Sequence, residues 1–160
     1  MDGISLRISG ELTGPLKEMQ EILPRMEKRA LYRAAYFLRD KIRESLVSSI
    51  PKATQPNPKY NDTLVDAVQF TRVDGASLNI NAMGNRNKGS GTYRTRFFEE
   101  GTRDRYQKTR NGVKLKKRKF IGKIKPTHFF QNAARANESA AVQLMQDVIS
   151  EYINAAMNNG

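Results

Sequence analysis

A chain of 160 residues with 38% apolar content is long enough for one core and too short for two, so a single domain spanning 1–160 is expected. With no cysteine there are no disulfides, thiolate ligands or cysteine nucleophile, and the lone His128 builds no histidine-based metal site, so neither metal nor cofactor is expected. The formal net charge of +12 points instead to an anionic partner, because net charge governs association rather than fold.

No apolar run approaches the roughly eighteen residues of a membrane span, and Met1 to Gly10 lacks the charged start and apolar middle of a secretory signal. A chain made and kept in the cytosol, without membrane contact, is the expectation. Ile4, Leu6 and Ile8 alternate with polar residues, which predicts a short strand ending at Gly10. A first helix follows from Pro15 to Leu23, with Leu16, Met19, Ile22 and Leu23 on one side, expected to bend or restart at Pro24.

The longest periodic segment is Pro24 to Ile50. Ala30, Ala34, Leu38, Ile42, Leu46 and Ile50 step by four, with Met26, Leu31 and Phe37 beside them, a stripe down an amphipathic helix about 40 Å long. Pro24 suits a first helical position and Pro51 forbids continuation. Arg25, Lys28, Arg29, Arg33, Arg39 and Arg43 occupy the other side and read first as a solvated face.

PKATQPNPKYND then predicts an extended, exposed connection with no core of its own. Asp62 or Thr63 is placed to cap a short helical turn through Leu64, Val65 and Val68. Phe70 and Val73 belong to a strand that Asp74-Gly75 turns back, and Ser77 to Met83 returns with Leu78, Ile80 and Ala82 on one face. Gly84 to Gly91 has no apolar residue and predicts a flexible loop. YRTRFFEEGT predicts a short helix ending at Gly101 in the left-handed conformation.

From Tyr106 to Phe120, Asn111-Gly112 separates two stretches of strand length, a hairpin signal, and both sides are too polar to be buried. The segment Arg103 to Lys125 carries the charge. Its eleven basic residues are Arg103, Arg105, Lys108, Arg110, Lys114, Lys116, Lys117, Arg118, Lys119, Lys123 and Lys125, set against Asp104 alone. Simple alternation puts Lys114, Lys116 and Arg118 on one face and Lys117 and Lys119 on the other. Like charges opposed across a hairpin disfavour folding, so such a pattern implies phosphate attraction without sequence readout, an acidic neighbouring subunit, or simple solubility. Tyr106 and Phe120 are available for stacking, but two aromatics do not make a single-strand platform.

The last segment opens after Pro126, with Thr127 as cap, and runs to about Met157. Its apolar face comprises Phe129, Phe130, Ala133, Ala136, Ala140, Ala141, Leu144, Val148, Tyr152 and Ala155. The predicted architecture is α+β: two long helices packed on a small, mostly antiparallel sheet, with a projecting basic β-hairpin.

Catalytic signatures are wanting: the chain holds no phosphate loop, nucleophile elbow, metalloprotease helix or dinucleotide fingerprint. Glu99 and Glu100 diverge by about 100 degrees on a helix, so capping, salt bridging or a subunit contact fits them better than paired acid–base work. His128 reads as a helix-start side chain packed on the sheet.

Three blocks, in order, resemble one family, the small neck or tail-completion proteins of tailed bacteriophages of the minor-tail-protein Z type. ALYRAAYFLRDKIRES is similar to that family's long basic-alanine helix and leads through a polar stretch to NDTLVDAVQF. YRTRFFEEGT resembles its second signature, here Tyr93, Phe97 or Phe98, Glu99 or Glu100, Gly101 and Thr102. KPTHFFQNAARANESAAVQLM resembles its C-terminal helix start, here Pro126, Phe129, Ala133, Ala134 and Asn137. Two departures stand out: Leu64 follows Thr63 where the family has glycine, and Asp104 to Ile124 replaces a short link. The resemblance implies a non-catalytic virion protein at the head–tail connector, a ring of identical subunits around the DNA exit channel. Other connector and tail proteins would be its partners, with no small-molecule substrate. The inserted hairpin takes no role from the resemblance. A free nucleic-acid-binding module using the same hairpin is the competing expectation.

Overall fold

A computed structural model describes residues 4–7, 17–56, 62–81 and 91–158. The fold is α+β. In chain order its elements are β1 (Ile4–Arg7), α1 (Lys17–Ser49), a 3-10 turn (Val65–Ala67), β2 (Gln69–Phe70), β3 (Ser77–Asn81), α2 (Gly91–Glu100), β4 (Arg105–Arg110), β5 (Val113–Gly122) and α3 (Phe129–Asn158). Among the described residues no helix is long and apolar enough to cross a membrane.

Helix α1 organises the core because its four-residue stripe is continuous. Ala30, Leu31, Ala34, Ala35, Leu38, Ile42 and Leu46 are all buried, and the four leucine and isoleucine side chains contribute roughly 1.5–3 kcal/mol each by leaving water. Of the bend or restart expected at Pro24, the restart does not occur, since one helix runs through it from Lys17. Proline removes a single amide donor there, while the stripe starting at Met26 is fixed against the core. Ile50, already outside the helix, is only half-buried.

The proline-rich connection is not wholly exposed. Ala53 is buried, and its carbonyl accepts the Leu64 amide at 3.0 Å and the Val65 amide at 3.4 Å, which staples the connection to the core. Residues 57–61 lie outside the described residues. Thr63 and Asp66 then cap reciprocally: the Asp66 amide donates to Thr63 Oγ1 and the Thr63 amide to Asp66 Oδ2, each at 3.1 Å.

One sheet has the order β1-β3-β2, antiparallel throughout, with Leu6 opposite Leu78 and Phe70 opposite Ile80. Leu78 and Ile80 are buried toward α1 while Asn79 between them faces water, the alternation of a one-sided sheet. Asp74-Gly75 makes the turn, with Gly75 at a φ of 56°. The strand assignments for Ile8 to Gly10 and for Ala82 and Met83, and the loop of residues 84–90, fall outside the described residues. Gly91 does not belong to a loop; it is the first residue of α2.

Helix α3 runs antiparallel to α1. Ser45 Oγ donates to the Phe129 carbonyl at 3.0 Å near one end, and at the other Arg33 reaches Glu151 at 3.6 Å while the Arg29 guanidinium lies 5.7 Å from the Tyr152 ring centre. Its buried side is Phe129, Phe130, Ala133, Ala141, Met145 and Val148. Ala136, Ala140 and Ala155, expected on that face, are exposed, and Met145 takes a place the sequence reading omitted. Alanine is small enough to suit either side, so its spacing marks a helix without marking which side is covered.

Candidate functional site

Helix α2 and the start of α3 meet in a clasp from which the basic hairpin leaves and to which it returns. Gly101 ends α2 with a φ of 77°, where a side chain would be strained. A Cβ there would also stand 2.9 Å from Pro126 Cδ and 3.0 Å from the Ile124 carbonyl oxygen. One residue on, the Thr102 amide donates to the Ile124 carbonyl at 3.0 Å and Thr102 Oγ1 accepts from the Ile124 amide at 2.9 Å. Thr127 donates to the Phe98 carbonyl twice, from its amide at 2.8 Å and from Oγ1 at 2.9 Å.

Thr127 is therefore not the cap of α3; the cap is Glu99, from another helix. Its side chain is 1% exposed, with Oε2 accepting the Phe130 amide at 2.9 Å and Oε1 the Gln131 amide at 3.2 Å. Two amides that α3 leaves unpaired at its positive end are thus satisfied by one buried carboxyl. His128 stands at the helix start with a φ of 50°, but its side chain is exposed rather than packed on the sheet. Glu100 points the other way and bonds Arg96 Nε at 2.9 Å, which lowers its pKa below the usual carboxyl range. The two glutamates are a cap and a surface ion pair.

The residues picked out by the family resemblance converge here. Gly101 abuts Pro126, Thr102 bonds Ile124 two residues before it, and Glu99 caps the helix that Phe129 opens, while Phe98 packs against the core and Phe97 is half-buried. Tyr93 lies on α2, its side chain outside the described residues.

Beyond the clasp, β4 and β5 pair antiparallel around Asn111 and Gly112, whose φ values of 48° and 80° are those of a hairpin turn with two left-handed residues. Arg105 lies opposite Gly122, Tyr106 opposite Phe120, Gln107 opposite Lys119 and Thr109 opposite Lys114. Between the last two pairs, Lys108 alone faces Leu115, Lys116, Lys117 and Arg118. Strict pairing fails there, one residue of β4 spanning four of β5, an irregularity of the ribbon that its sequence does not announce. Tyr106 and Phe120 pack on each other with ring centres 5.5 Å apart, each about half exposed. Ile121 and Val113 are exposed too, two apolar ribbon residues that sequence reading passed over.

All eleven basic residues of this segment are exposed, and among the described residues none forms a salt bridge. The cations of α1 differ. Arg33 pairs with Glu151, Arg39 with Asp40 at 2.7 Å, and Lys41 with Glu44 at 2.7 Å. Arg39 also lies 4.8 Å from the Tyr36 ring centre. Arg43 donates to the Val68 carbonyl at 3.0 Å, and burial first, then repulsion from Arg39, lowers its pKa. The arginine side of α1 is thus largely engaged by its own chain, whereas the hairpin presents unpaired positive charge.

Among the described residues no cluster of histidine, aspartate or glutamate could hold a metal ion. Comparison with known protein families, curated proteins and solved structures finds no match in any of the three.

Proposed function

We propose that this chain is a structural protein of a tailed phage or prophage particle, a neck or tail-completion component that assembles as a homo-oligomeric ring around the DNA exit channel. In this reading the two long helices packed on the small sheet form the body of a ring subunit, and the basic hairpin is an arm projecting from it. The protein would be made in the host cytoplasm and end in the virion, with other connector and tail proteins as partners and no catalytic step.

The observation that carries the reading is the uncompensated charge of the hairpin combined with its firm root. A ribbon of exposed cations that has no salt-bridge partner among the described residues is suited to an anion from outside. Its two ends are held together by Thr102 and Ile124, so the arm leaves the body at a fixed place. The motif residues that resemble the phage family gather at that root, although they are 24 or more residues apart in sequence between Thr102 and Pro126. A lining for a DNA channel should be cationic without reading sequence, and the hairpin has that composition.

Electron microscopy of particles carrying the chain labelled at its C-terminus tests the proposal. A ring of label at the junction of head and tail is expected. A chain that stays monomeric by sizing chromatography, binds nucleic acid tightly and never enters particles would instead be the free binding module.

A further inference from the structure

We propose that the β4–β5 hairpin inserts into the major groove of duplex DNA and grips both phosphate walls without reading the bases. This rests on the hairpin being the anion-facing surface, and it names the ligand of that surface.

Size permits the insertion. Paired strands lie about 4.8 Å apart, and a major groove about 12 Å wide admits a two-stranded ribbon. The six residues of β4 set the paired length of the ribbon at about 20 Å, somewhat over half a turn of the duplex.

Charge placement favours duplex over single-stranded nucleic acid. Residues 105–122 hold eight cations and no carboxylate. Seven of them, Lys108, Arg110, Lys114, Lys116, Lys117, Arg118 and Lys119, lie at or beyond the Gln107–Lys119 pair, toward the turn. That outer part, residues 107–119, contains no aromatic side chain, so a splayed base finds nothing there to stack on. The two rings of the hairpin sit nearer its root and pack on each other. Exposed cations stand on both strands, Lys108 and Arg110 on β4 and Lys114, Lys116, Lys117, Arg118 and Lys119 on β5, so each edge of the ribbon can meet one phosphate wall.

One side chain suited to base readout is already engaged. Gln107, whose amide has the form of an adenine reader, donates to the Thr109 carbonyl at 2.8 Å and is held inside the ribbon. A second copy of this chain is a poor alternative ligand. It carries the same net +12, so a cationic ribbon approaching it meets a repulsive field, and four of its carboxylates, Asp40, Glu44, Glu100 and Glu151, are already paired with its own Arg39, Lys41, Arg96 and Arg33.

The test is a binding titration of the full chain against a short duplex and the matching single strand over a range of salt. With about five phosphates engaged, the slope of log affinity against log salt for the duplex is about −4.5, and the duplex binds about tenfold or more tighter than the single strand. Replacing Lys114, Lys116, Lys117, Arg118 and Lys119 by glutamine brings the slope to about −2 or shallower. Methyl green, a major-groove ligand, competes, and netropsin, a minor-groove ligand, does not. Phe120→Leu, which keeps an apolar neighbour for Tyr106, leaves duplex affinity unchanged. Equal or tighter single-strand binding, competition by netropsin alone, or an unmoved slope in the glutamine variant would each overturn the proposal. Absence of duplex binding by a chain that nevertheless forms rings in particles would sink the groove insertion and leave the neck role standing. A monomer that binds duplex as described would do the reverse.

Discussion

Helix α1 and the β4–β5 hairpin are both rich in arginine and lysine, yet their charges do opposite things. On α1 the guanidinium groups face carboxylates, rings and carbonyls of the same chain: Arg33 on Glu151, Arg39 on Asp40 and Tyr36, Arg43 on Val68. On the hairpin the cations face only solvent. A high density of basic residues is therefore not in itself a binding signal. What distinguishes a candidate interface is charge that the fold has left uncompensated.

The most damaging way to disturb the comparison is through the core that holds both regions. Phe129→Ala removes a fully buried ring where α3 begins and should cost about 3–5 kcal/mol in urea unfolding. Glu99→Ala should cost about 1–3 kcal/mol, because it leaves the Phe130 and Gln131 amides without their acceptor. Glu99→Gln, which keeps one acceptor oxygen, should cost less than Glu99→Ala in the same assay, and a larger loss would contradict the capping role.

Smaller effects sharpen the contrast itself. Arg33→Gln on α1 should change stability by about 1 kcal/mol or less, as an exposed ion pair does, and should leave the salt dependence of DNA binding unmoved. The five hairpin replacements by glutamine should each shift unfolding by about 0.5 kcal/mol or less, since those side chains are exposed. A destabilisation comparable to that of Phe129→Ala would mean the ribbon is part of the core. Smallest of all is the Arg96–Glu100 pair. Because the folded carboxyl pKa is lowered, its contribution is complete above about pH 4.3 and is lost as the pH falls through the lower folded value. Acid titration of Arg96→Gln beside the parent chain measures it, and identical acid profiles would dismiss it.

Much of the fold was legible because it is carried by local signals. The four-residue step from Ala30 to Leu46 marks α1, and Asn111-Gly112 and Asp74-Gly75 mark the turns before any coordinate is seen. Proline misled in both directions. Pro24 was expected to start a helix that in fact runs through it, and the prolines after Ser49 hid Ala53, which the core buries. The site was legible in composition but not in wiring. Eleven exposed cations could be named from the sequence, but the irregularity opposite Lys108 depends on register, which no single strand encodes. Glu99 was readable as a cap or ion-pair partner. That it caps Phe130, 31 residues away, follows only from how α2 meets α3.

Amide hydrogen exchange of the full chain, with and without duplex DNA, addresses the central claim residue by residue. The account predicts slow exchange in α1 and α3 under both conditions, with added protection on DNA binding confined to residues 105–122. Protection that appears instead along the arginine side of α1, with the hairpin unchanged, would contradict it.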